Sequence, residues 1–434
     1  MSHKYNLSQC LRPRHSTTMS SYYQRRGRRP FGTPPSRAPG PSVPERDFSE
    51  GLKTTLVKTL SVPQVTDQED KPVTIKDVDY IGSYNWVKGS GGPTIIVPGS
   101  PPIWRNRPTP YQVAVDSGLV FVDQNGHWMG SHTLLPLVAA VDAYAEEQGN
   151  PPFEWKSVDI VTDRNGLRKL LRWIGDTKKE FRIDLQLAGR TVLLNRWEKK
   201  TQERAHTNYG HNFEKESTQP AKGCEESTGH HRIVCYDING LKMVVRFEVD
   251  ACIPNKSTST RDPRRPSEST IDDLTNAMSR TTLTSTKLDT IMTIPFGKSK
   301  LIVNKAGDVV PQNLIAELTT CSQKRADSFD WDETFPQLYL SQTPHHFLAV
   351  HQLGLFQQVQ KRELYRAELK SQDTRLQPKF QKLVRVLGMI KNMVMEHGER
   401  SRLSIVFRDG EMKVFERLSE EDCLPTDYMK KFSV

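Results

Sequence analysis

Apolar and polar residues alternate along residues 241–253, LKMVVRFEVDACI, as is typical of a β-strand. One face of this strand is entirely apolar, whereas the other carries Arg246, Glu248 and Asp250. Residues 231–238 predict a partner strand, and the Asn-Gly pair between the two strands is a strong hairpin signal. Two interpretations of the polar face remain open. It is either the solvated face of an ordinary antiparallel strand, or a strand that holds a metal ion or supplies acid–base groups.

The same patterning predicts further elements on both sides of the hairpin. We expect strands over residues 77–86, 94–97, 158–162, 181–187, 191–197, 300–304, 313–320, 404–407 and 413–415. We expect helices over residues 134–148, from Asp163 or Asn165 to Ile174, and over 380–396. The segments 337–342 and 347–350 fit either a strand or a helix, and no internal repeat is found.

The N-terminal region differs sharply in composition from the rest of the chain. Residues 1–46 carry nine Lys or Arg against one acid, and they are rich in Pro, Ser and Gly. Such a segment buries too little apolar surface to offset its ordering entropy. We therefore expect a disordered basic tail over 1–71, a single folded domain over 72–434, and a flexible insertion at about 254–290 within it. The arginine cluster of the tail is either an RNA-binding or nuclear-import segment, or a solubilising tail without a specific partner.

Cysteine usage and hydropathy exclude two classes of protein. The six cysteines are scattered, without a CxxC pair, which favours reduced thiols in an intracellular protein and argues against a structural zinc site. The longest apolar runs are too short for a transmembrane helix, and the N-terminus lacks the apolar segment of a signal peptide. We therefore expect no membrane partner.

Four acidic residues are candidates for a metal site because each lies on or next to a predicted strand. They are Glu214, Glu248, Asp250 and Glu317. Hard divalent cations such as Mg²⁺ and Mn²⁺ prefer carboxylate oxygens, and a pair of such ions can hold the attacking and leaving oxygens of a phosphoryl transfer. That chemistry requires these four acids to converge from different elements.

The order of these motifs resembles the decapping exoribonuclease (DXO-like) family, and we expect a fungal member. The resemblance is carried by VDIVTDRNGLRKLL at 158–171, NYGHNFEKEST at 208–218, FEVDA at 247–251, IAELTT at 315–320 and PQLYLSQTP at 336–344. It implies an α+β fold related to the PD-(D/E)xK nucleases, with a mixed β-sheet core, flanking helices and a cleft for two Mg²⁺ or Mn²⁺ ions. It also implies hydrolysis at RNA 5′ ends, by decapping or pyrophosphohydrolysis, with 5′-to-3′ degradation of the RNA body as a further expectation.

The resemblance also assigns roles to individual residues. It implies that Glu214, Glu248, Asp250 and Glu317 are metal ligands, that the last three are catalytic, and that Arg164, Gln337 and Gln342 bind the substrate. Fungal members associate with a nuclear 5′-to-3′ exoribonuclease. The resemblance therefore implies this partner, a nuclear location with the cytoplasm as the alternative, and a part in mRNA quality control.

One departure from the family motif concerns catalysis. The family has Glu-x-Lys where this chain has Glu317, Leu318 and Thr319. A hydroxyl in place of the ammonium removes one electrostatic stabiliser, and such a loss costs roughly 10²–10³ in rate. Glu368 and Lys370 also read Glu-x-Lys, but they lie in a polar segment that we expect to be helical and out of family order. An active hydrolase, a non-catalytic RNA-binding or scaffold protein, and a chance match of motifs therefore remain as alternatives.

Overall fold

The computed structural model describes residues 44–65, 71–88, 91–205, 207–254 and 289–433. Its strands are β1 (Leu52–Leu60), β2 (Ile75–Val87), β3 (Thr94–Pro98), β4 (Ile103–Trp104), β5 (Tyr111–Gln112), β6 (Leu119–Phe121), β7 (Ile160–Asp163), β8 (Phe181–Ala188), β9 (Thr191–Trp197), β10 (Gln202–Arg204), β11 (Thr218–Gln219), β12 (Ser227–Ile238), β13 (Leu241–Val249), β14 (Ala251–Cys252), β15 (Asp289–Phe296), β16 (Ser299–Ala306), β17 (Ile315–Ser322), β18 (His345–Gln352), β19 (Leu355–Glu363), β20 (Arg402–Arg408) and β21 (Glu411–Arg417). Its α-helices are α1 (Gln124–Met129), α2 (Leu135–Glu147), α3 (Arg164–Ile174), α4 (Gly210–Ser217), α5 (Trp331–Ser341), α6 (Ala367–His397) and α7 (Thr426–Met429).

Two mixed β-sheets form the centre of the fold. The large sheet has the strand order β1-β21-β20-β8-β9-β7-β13-β12-β2-β3-β16-β15, and the small sheet has the order β11-β4-β14-β17-β18-β19-β5. Parallel pairs such as β7 with β13 and β17 with β18 occur beside antiparallel hairpins. This arrangement confirms the expected α+β class with a mixed β-sheet core and flanking helices.

Helices cover both faces of the large sheet, so its central strands are apolar on both sides, as buried parallel strands require. One hydrophobic cluster packs alternate side chains of β13, such as Phe247, against α3, α5 and α6. A second cluster packs the opposite face, including Val244, against α2. The middle of the predicted polar face of β13 is therefore not solvated, because Val244 and Arg246 are both completely buried, whereas Glu248 near the end of the strand is exposed.

The predicted hairpin is confirmed, with β12 and β13 paired from His230↔Val249 to Ile238↔Leu241. Its turn residues Asn239 and Gly240 both have positive φ, at 49° and 89°, as a two-residue turn that matches the strand twist demands. The strand predicted over residues 241–253 is wrong in one respect, because β13 ends at Val249 and β14 begins at Ala251 in the other sheet. The chain thus passes from the large sheet to the small sheet at Asp250.

Two further sequence expectations need correction. The folded part does not begin at residue 72, because β1 (Leu52–Leu60) pairs antiparallel with β21 at the edge of the large sheet. The helix predicted over 380–396 is only the second half of α6, which begins at Ala367. Its first half is polar apart from Leu369 and Leu376, both buried, so its apolar periodicity is weak. The predicted insertion at 254–290 lies almost wholly outside the described residues. No helix within the described ranges is long and apolar enough to cross a membrane.

Candidate metal centre

The junction between the two sheets brings three of the predicted acids together. Asp250 lies between β13 and β14, and its Oδ2 accepts a hydrogen bond of 2.8 Å from the backbone N–H of Leu318. Strand β14 pairs with β17 at Ala251↔Ala316, so Glu317 of β17 is placed beside Asp250. Glu248 is the penultimate residue of β13 and precedes Asp250 by two positions. The break in the strand at Asp250 is therefore what joins the acidic end of β13 to β17.

The fourth acid, Glu214, lies on helix α4 rather than next to a strand, which corrects the sequence prediction. The N-terminus of α4 is fixed by Asp116, whose carboxylate oxygens accept from the backbone N–H groups of His211 at 3.2 Å and Asn212 at 2.8 Å. An acid at this end satisfies unpaired helix N–H groups. Phe213, which is fully buried among aromatic rings, anchors the helix and leaves Glu214 on the side of the junction.

Two cavities meet at Glu248 and Asp250, which line both of them. The first, which we name the arginine cavity, has a volume of about 230 Å³. Its polar wall includes Arg164, Arg196, Arg246, His231, Glu317 and Gln337. The second, which we name the histidine cavity, has a volume of about 370 Å³. Its wall includes Asn85, Ser100, Glu214, Ser227, Thr228 and His230.

Both carboxylate oxygens of Glu317 have partners in the arginine cavity. Arg164 donates from Nη1 to Oε2 at 2.9 Å, and Gln337 donates from Nε2 to Oε1. Arg164 also donates to Ser341 at 3.4 Å. Because Glu317 is only 5% exposed, its charge requires such a partner. The predicted substrate-binding residues Arg164 and Gln337 therefore do lie at the acidic cluster.

Gln342 does not lie there, so the structure does not bring this predicted substrate-binding residue to the acidic cluster. It follows helix α5 in a left-handed conformation with a φ of 52°. Its Nε2 donates to the carbonyl of Tyr339 at 2.7 Å, and its Oε1 accepts from the hydroxyl of Tyr365. The side chain is therefore part of the helix end, and it lines neither cavity.

The sequence analysis did not select Arg196, which nevertheless lines the arginine cavity. Its guanidinium donates to Glu198 at 2.7 Å and to the carbonyl of Val122 at 2.6 Å. Burial opposes the charged form, but Asp123 and Glu198 together raise the pKa of Arg196. Its position near the end of β9, a parallel neighbour of β7, is the signal that marks it, because strand ends converge at such edges.

A buried pair supports the floor of the arginine cavity. Arg246 donates to both oxygens of Asp163, at 2.6 and 2.9 Å, and also to the carbonyl of Thr133 at 2.7 Å. Arg246 is completely buried, so the bidentate geometry and the carbonyl contact satisfy a charge that water cannot reach. This pair locks β13 to the start of α3, which carries Arg164.

The acids of the junction raise one another's pKa values. Burial, followed by the charges of Glu248, Glu317 and Asp116, raises the pKa of Glu214 to about 8. Burial, with Glu317 and Glu214 next in size, raises the pKa of Asp250 well above its ordinary value. Removal from water also raises the pKa of Glu248, although this side chain opens onto the cleft and Arg164 and Arg196 oppose the shift. If all of these acids were ionised, the cluster would therefore carry more negative charge than its surroundings neutralise.

This donor set fits a hard divalent cation, which would relieve the mutual repulsion of the acids. Gly229 makes space for the carboxylate of Glu248, because a Cβ added at Gly229 would lie only 2.9 Å from Glu248 Oε1. With the side chains placed as they are, no group of three His, Cys, Asp or Glu among the described residues is arranged to hold a metal ion. The acids converge, but two of them, Asp250 and Glu317, are engaged by protein donors.

The position of the missing lysine is also visible. Thr319 lies on the same face of β17 as Glu317, and its hydroxyl is 3.1 Å from Nε2 of His346. Burial, aided by Arg362, lowers the pKa of His346 to about 3, so this imidazole is neutral. Lys305 pairs with Glu147 at 3.0 Å. The cationic side chains among the residues that line the arginine cavity are arginines.

Comparisons with known proteins give a family and a fold. A family model described as "Domain of unknown function (DUF8563)" matches residues 56–433. No curated protein matches the sequence. Among solved structures, Scheffersomyces stipitis Rai1 in complex with (3′-NADP)+ and a calcium ion has a TM-score of 0.55 at 12% identity, covering 87% of this chain and 99% of that one. Rai1 from S. pombe has a TM-score of 0.50 at 12% identity, covering 82% of this chain and 96% of that one.

At such identities the likeness shows the fold alone. The Rai1 proteins are fungal decapping exoribonucleases, so the likeness confirms the expected resemblance to that group in fold.

Proposed function

The chain belongs to the family described as a domain of unknown function, DUF8563, and from its cleft we propose that it is a metal-dependent hydrolase acting on RNA 5′ ends. The observation that carries the proposal is the convergence of Glu214, Glu248, Asp250 and Glu317 at the sheet junction, with pKa values raised in Glu214, Glu248 and Asp250. Strongly perturbed acids in a cleft are typical of functional sites. The likeness to Rai1 supports the choice of RNA 5′ ends over other phosphate esters.

We propose that Glu214, Glu248, Asp250 and Glu317 would hold divalent ions, either Mg²⁺ or Mn²⁺ and two in number. When bound, such ions polarise a phosphoryl group and supply a hydroxide at neutral pH. The protein's own contribution is positional. Arg164 and Gln337 orient Glu317 through its two oxygens, and Arg164 and Arg196 give the arginine cavity positive charge for the phosphates of the RNA 5′ end. Decapping or pyrophosphohydrolysis is the proposed reaction, and further 5′-to-3′ degradation is an extension of it.

Location and partner belong to the same proposal. The resemblance to the fungal enzymes supports a nuclear protein that acts in mRNA quality control beside a 5′-to-3′ exoribonuclease. A cytoplasmic location is the alternative.

A second candidate function is a non-catalytic RNA-binding or scaffold protein. Two observations favour it: Thr319 stands where the Glu-x-Lys motif of the decapping exoribonucleases has lysine, and Arg164 already neutralises Glu317 at 2.9 Å. A protein that binds RNA without cleaving it would keep the arginine cavity and would have no need of the lysine.

One experiment separates the two functions. The purified chain is incubated with capped, 5′-triphosphate and 5′-monophosphate RNA, in Mn²⁺ or in EDTA, beside Asp250→Ala. The hydrolase releases a 5′ product in Mn²⁺, and the product disappears in EDTA and in the variant. RNA binding without any product in Mn²⁺ contradicts the hydrolase and supports the scaffold.

A further inference from the structure

The histidine cavity contains an acceptor that the proposed chemistry does not use. His230 lies on β12 directly opposite Val249 of β13, and it is among the residues that line this cavity, together with Glu248 and Asp250. The side chain is 1% exposed. Its Nε2 is a buried atom without a hydrogen-bond partner among the described residues. A polar atom left unpaired in this way costs stability unless a ligand or water completes it.

The hydrogen bonds around Asn85 fix which ring nitrogen of His230 carries the proton. The Asn85 amide nitrogen donates to the carbonyl of Ser100 and to the hydroxyl of Ser227, both at 2.8 Å. A carbonyl only accepts, so the amide oxygen must be the atom that faces His230 Nδ1, at 2.6 Å. That oxygen also only accepts, so Nδ1 carries the hydrogen and Nε2 presents a lone pair.

This arrangement is rigid and stays neutral. A Cβ added at Gly99, whose φ is +62°, would lie 2.1 Å from the Asn85 amide oxygen. The backbone of Gly99 therefore packs closely against the side-chain amide of Asn85 and holds it in place. Burial, with a smaller effect from Arg232, lowers the pKa of His230 well below its ordinary value. The imidazole therefore offers an acceptor throughout the physiological range of pH.

The surroundings indicate what kind of ligand presents the matching donor. The cavity measures about 370 Å³, within the range of small-molecule pockets. Its wall combines apolar groups such as Pro102, Pro220 and Ala221 with the hydroxyls of Thr228 and Ser227. An imidazole lone pair bonded in this way accepts a hydrogen bond from an N–H or O–H group. A ligand that fits this cavity would have a flat, partly apolar group and an N–H or O–H donor. It would also carry a phosphate that reaches the acidic junction. A nucleoside that is part of RNA has all three features.

We propose that the histidine cavity holds a nucleoside of the bound RNA, and that Nε2 of His230 accepts a hydrogen bond from it. The proposal rests on the proposed function, since it places the phosphate of that nucleotide at the acidic junction. The donor is either a base N–H or the ribose 2′-hydroxyl, and the two share the same chemistry. His230 is then a residue that determines specificity, and it rejects nucleosides that leave its lone pair unpaired.

The test measures binding by the full chain, in EDTA, so that no metal-dependent turnover occurs. The probes are 3′-labelled, 5′-phosphorylated penta-uridylate, its fully 2′-deoxy counterpart and its fully N3-methylated counterpart, followed by fluorescence anisotropy. The wild-type protein should bind one of the two analogues about tenfold more weakly than the RNA, because one buried acceptor remains unpaired. Loss with the 2′-deoxy probe identifies the ribose, and loss with the N3-methyl probe identifies the base.

Two variants give the matched comparison. His230→Phe keeps a ring of similar size and should bind all three probes equally, about as weakly as the wild type binds the discriminated analogue. His351→Phe is the control, because His351 packs against Phe356 at 5.0 Å and lines neither cavity. It should keep the wild-type preference. The wild-type comparison needs no substitution and stands even if His230→Phe fails to fold.

The outcomes distinguish failure of this inference from failure of the proposed function. If the wild-type protein binds all three probes with equal affinity, the nucleoside contact is wrong while the proposed function stands. If it discriminates as expected but releases no product in Mn²⁺, the contact stands and the hydrolase is wrong. If it binds none of the probes, the nucleoside contact is overturned, and product release in Mn²⁺ decides the proposed function separately.

Discussion

Arg164 Nη1 lies 2.9 Å from Glu317 Oε2 in the interior of the cleft, and both side chains are almost completely buried. This pair connects the helix after β7 to the strand that carries the last acid of the cluster. A buried ion pair adds little stability by itself, but removing one partner leaves the other uncompensated. The pair therefore holds Glu317 in a defined position and leaves the remaining N–H groups of Arg164 for other acceptors.

Replacing Arg164 by Gln should weaken RNA binding. We expect about tenfold lower affinity for 5′-phosphorylated RNA, and a dependence of log K on log salt that is shallower by about one, because one phosphate contact is lost. Anisotropy titrations at several salt concentrations measure both. Arg172→Gln is the control, since Arg172 lies on the same helix but pairs with Glu333 at 2.7 Å. An unchanged affinity and slope in Arg164→Gln would show that Arg164 serves only the ion pair.

Replacing Thr319 by Lys tests whether the missing lysine limits the reaction. We expect turnover of 5′-triphosphate RNA in Mn²⁺ to rise about 10- to 100-fold with little change in KM, because the ammonium stabilises charge that develops in the transition state. Thr319→Met supplies a side chain of comparable length without the charge and should give no gain. Equal rates in the lysine and methionine variants would contradict the electrostatic role.

The raised pKa of Glu214, about 8, predicts a stability that falls as the pH rises. The folded state holds this proton up to about pH 8 while the unfolded chain has lost it, so in EDTA the melting temperature should decrease from pH 7 to pH 9. The buried histidines His230, His231 and His346 have lowered pKa values. Their effect on stability has the opposite sign. It arises only below the pKa of a histidine in the unfolded chain, near 6.5, and therefore lies outside the range from pH 7 to pH 9.

Thermal unfolding from pH 7 to pH 9 measures this slope, with Glu214→Gln as the comparison. The variant should have a flatter profile, and Mn²⁺ should flatten the wild-type profile because the ion binds the ionised acids. A melting temperature that rises between pH 7 and pH 8.5 in EDTA would rule out the proposed repulsion.

Replacing Gly229 by Ala should disturb Glu248 without removing any acid. The added Cβ would lie 2.5 Å from Gln124 Nε2 and 2.9 Å from Glu248 Oε1, so the carboxylate must shift. We expect Mn²⁺ affinity, measured by isothermal titration, to fall about tenfold, in line with the loss of an orienting contact. Gly388→Ala is the control, because nothing lies within 4 Å of its added Cβ. Wild-type affinity in Gly229→Ala would exclude Glu248 as a ligand.

Local patterns were sufficient for much of the fold. The β12–β13 hairpin was predictable because its Asn-Gly turn and its alternation are properties of adjacent residues. The end of β13 at Val249 was not, because Asp250 turns away only to accept from Leu318, sixty-eight residues later in the chain. The polar segment around Glu368 and Lys370 was expected to be helical, and α6 confirms this, but its continuity with the helix over 380–396 was not predictable because few residues of this first half are buried.

In the candidate site too, some residues were predictable from local sequence, whereas others depend on contacts between distant parts of the chain. Glu248, Asp250 and Glu317 were identified through motif order, and the structure places them together. Glu214 was assigned to the wrong kind of element, because α4 depends on Asp116, ninety-five residues away in sequence from His211. Arg196 and the acceptor of His230 were not selected at all. Their importance comes from neighbours in space, and the one local signal is the position of Arg196 near the end of the strand predicted over 191–197.

The central claim is that the acids at the sheet junction bind divalent metal, and Mn²⁺ titration followed by electron paramagnetic resonance tests it most directly. The signal of free aqueous Mn²⁺ disappears when the ion binds, so the titration counts bound ions. We predict that the wild-type chain at pH 8 binds two ions and that Asp250→Asn, which keeps the acceptor for Leu318, loses at least one of them. A wild-type titration that leaves the free Mn²⁺ signal unchanged, or one that Asp250→Asn does not alter, would contradict the account.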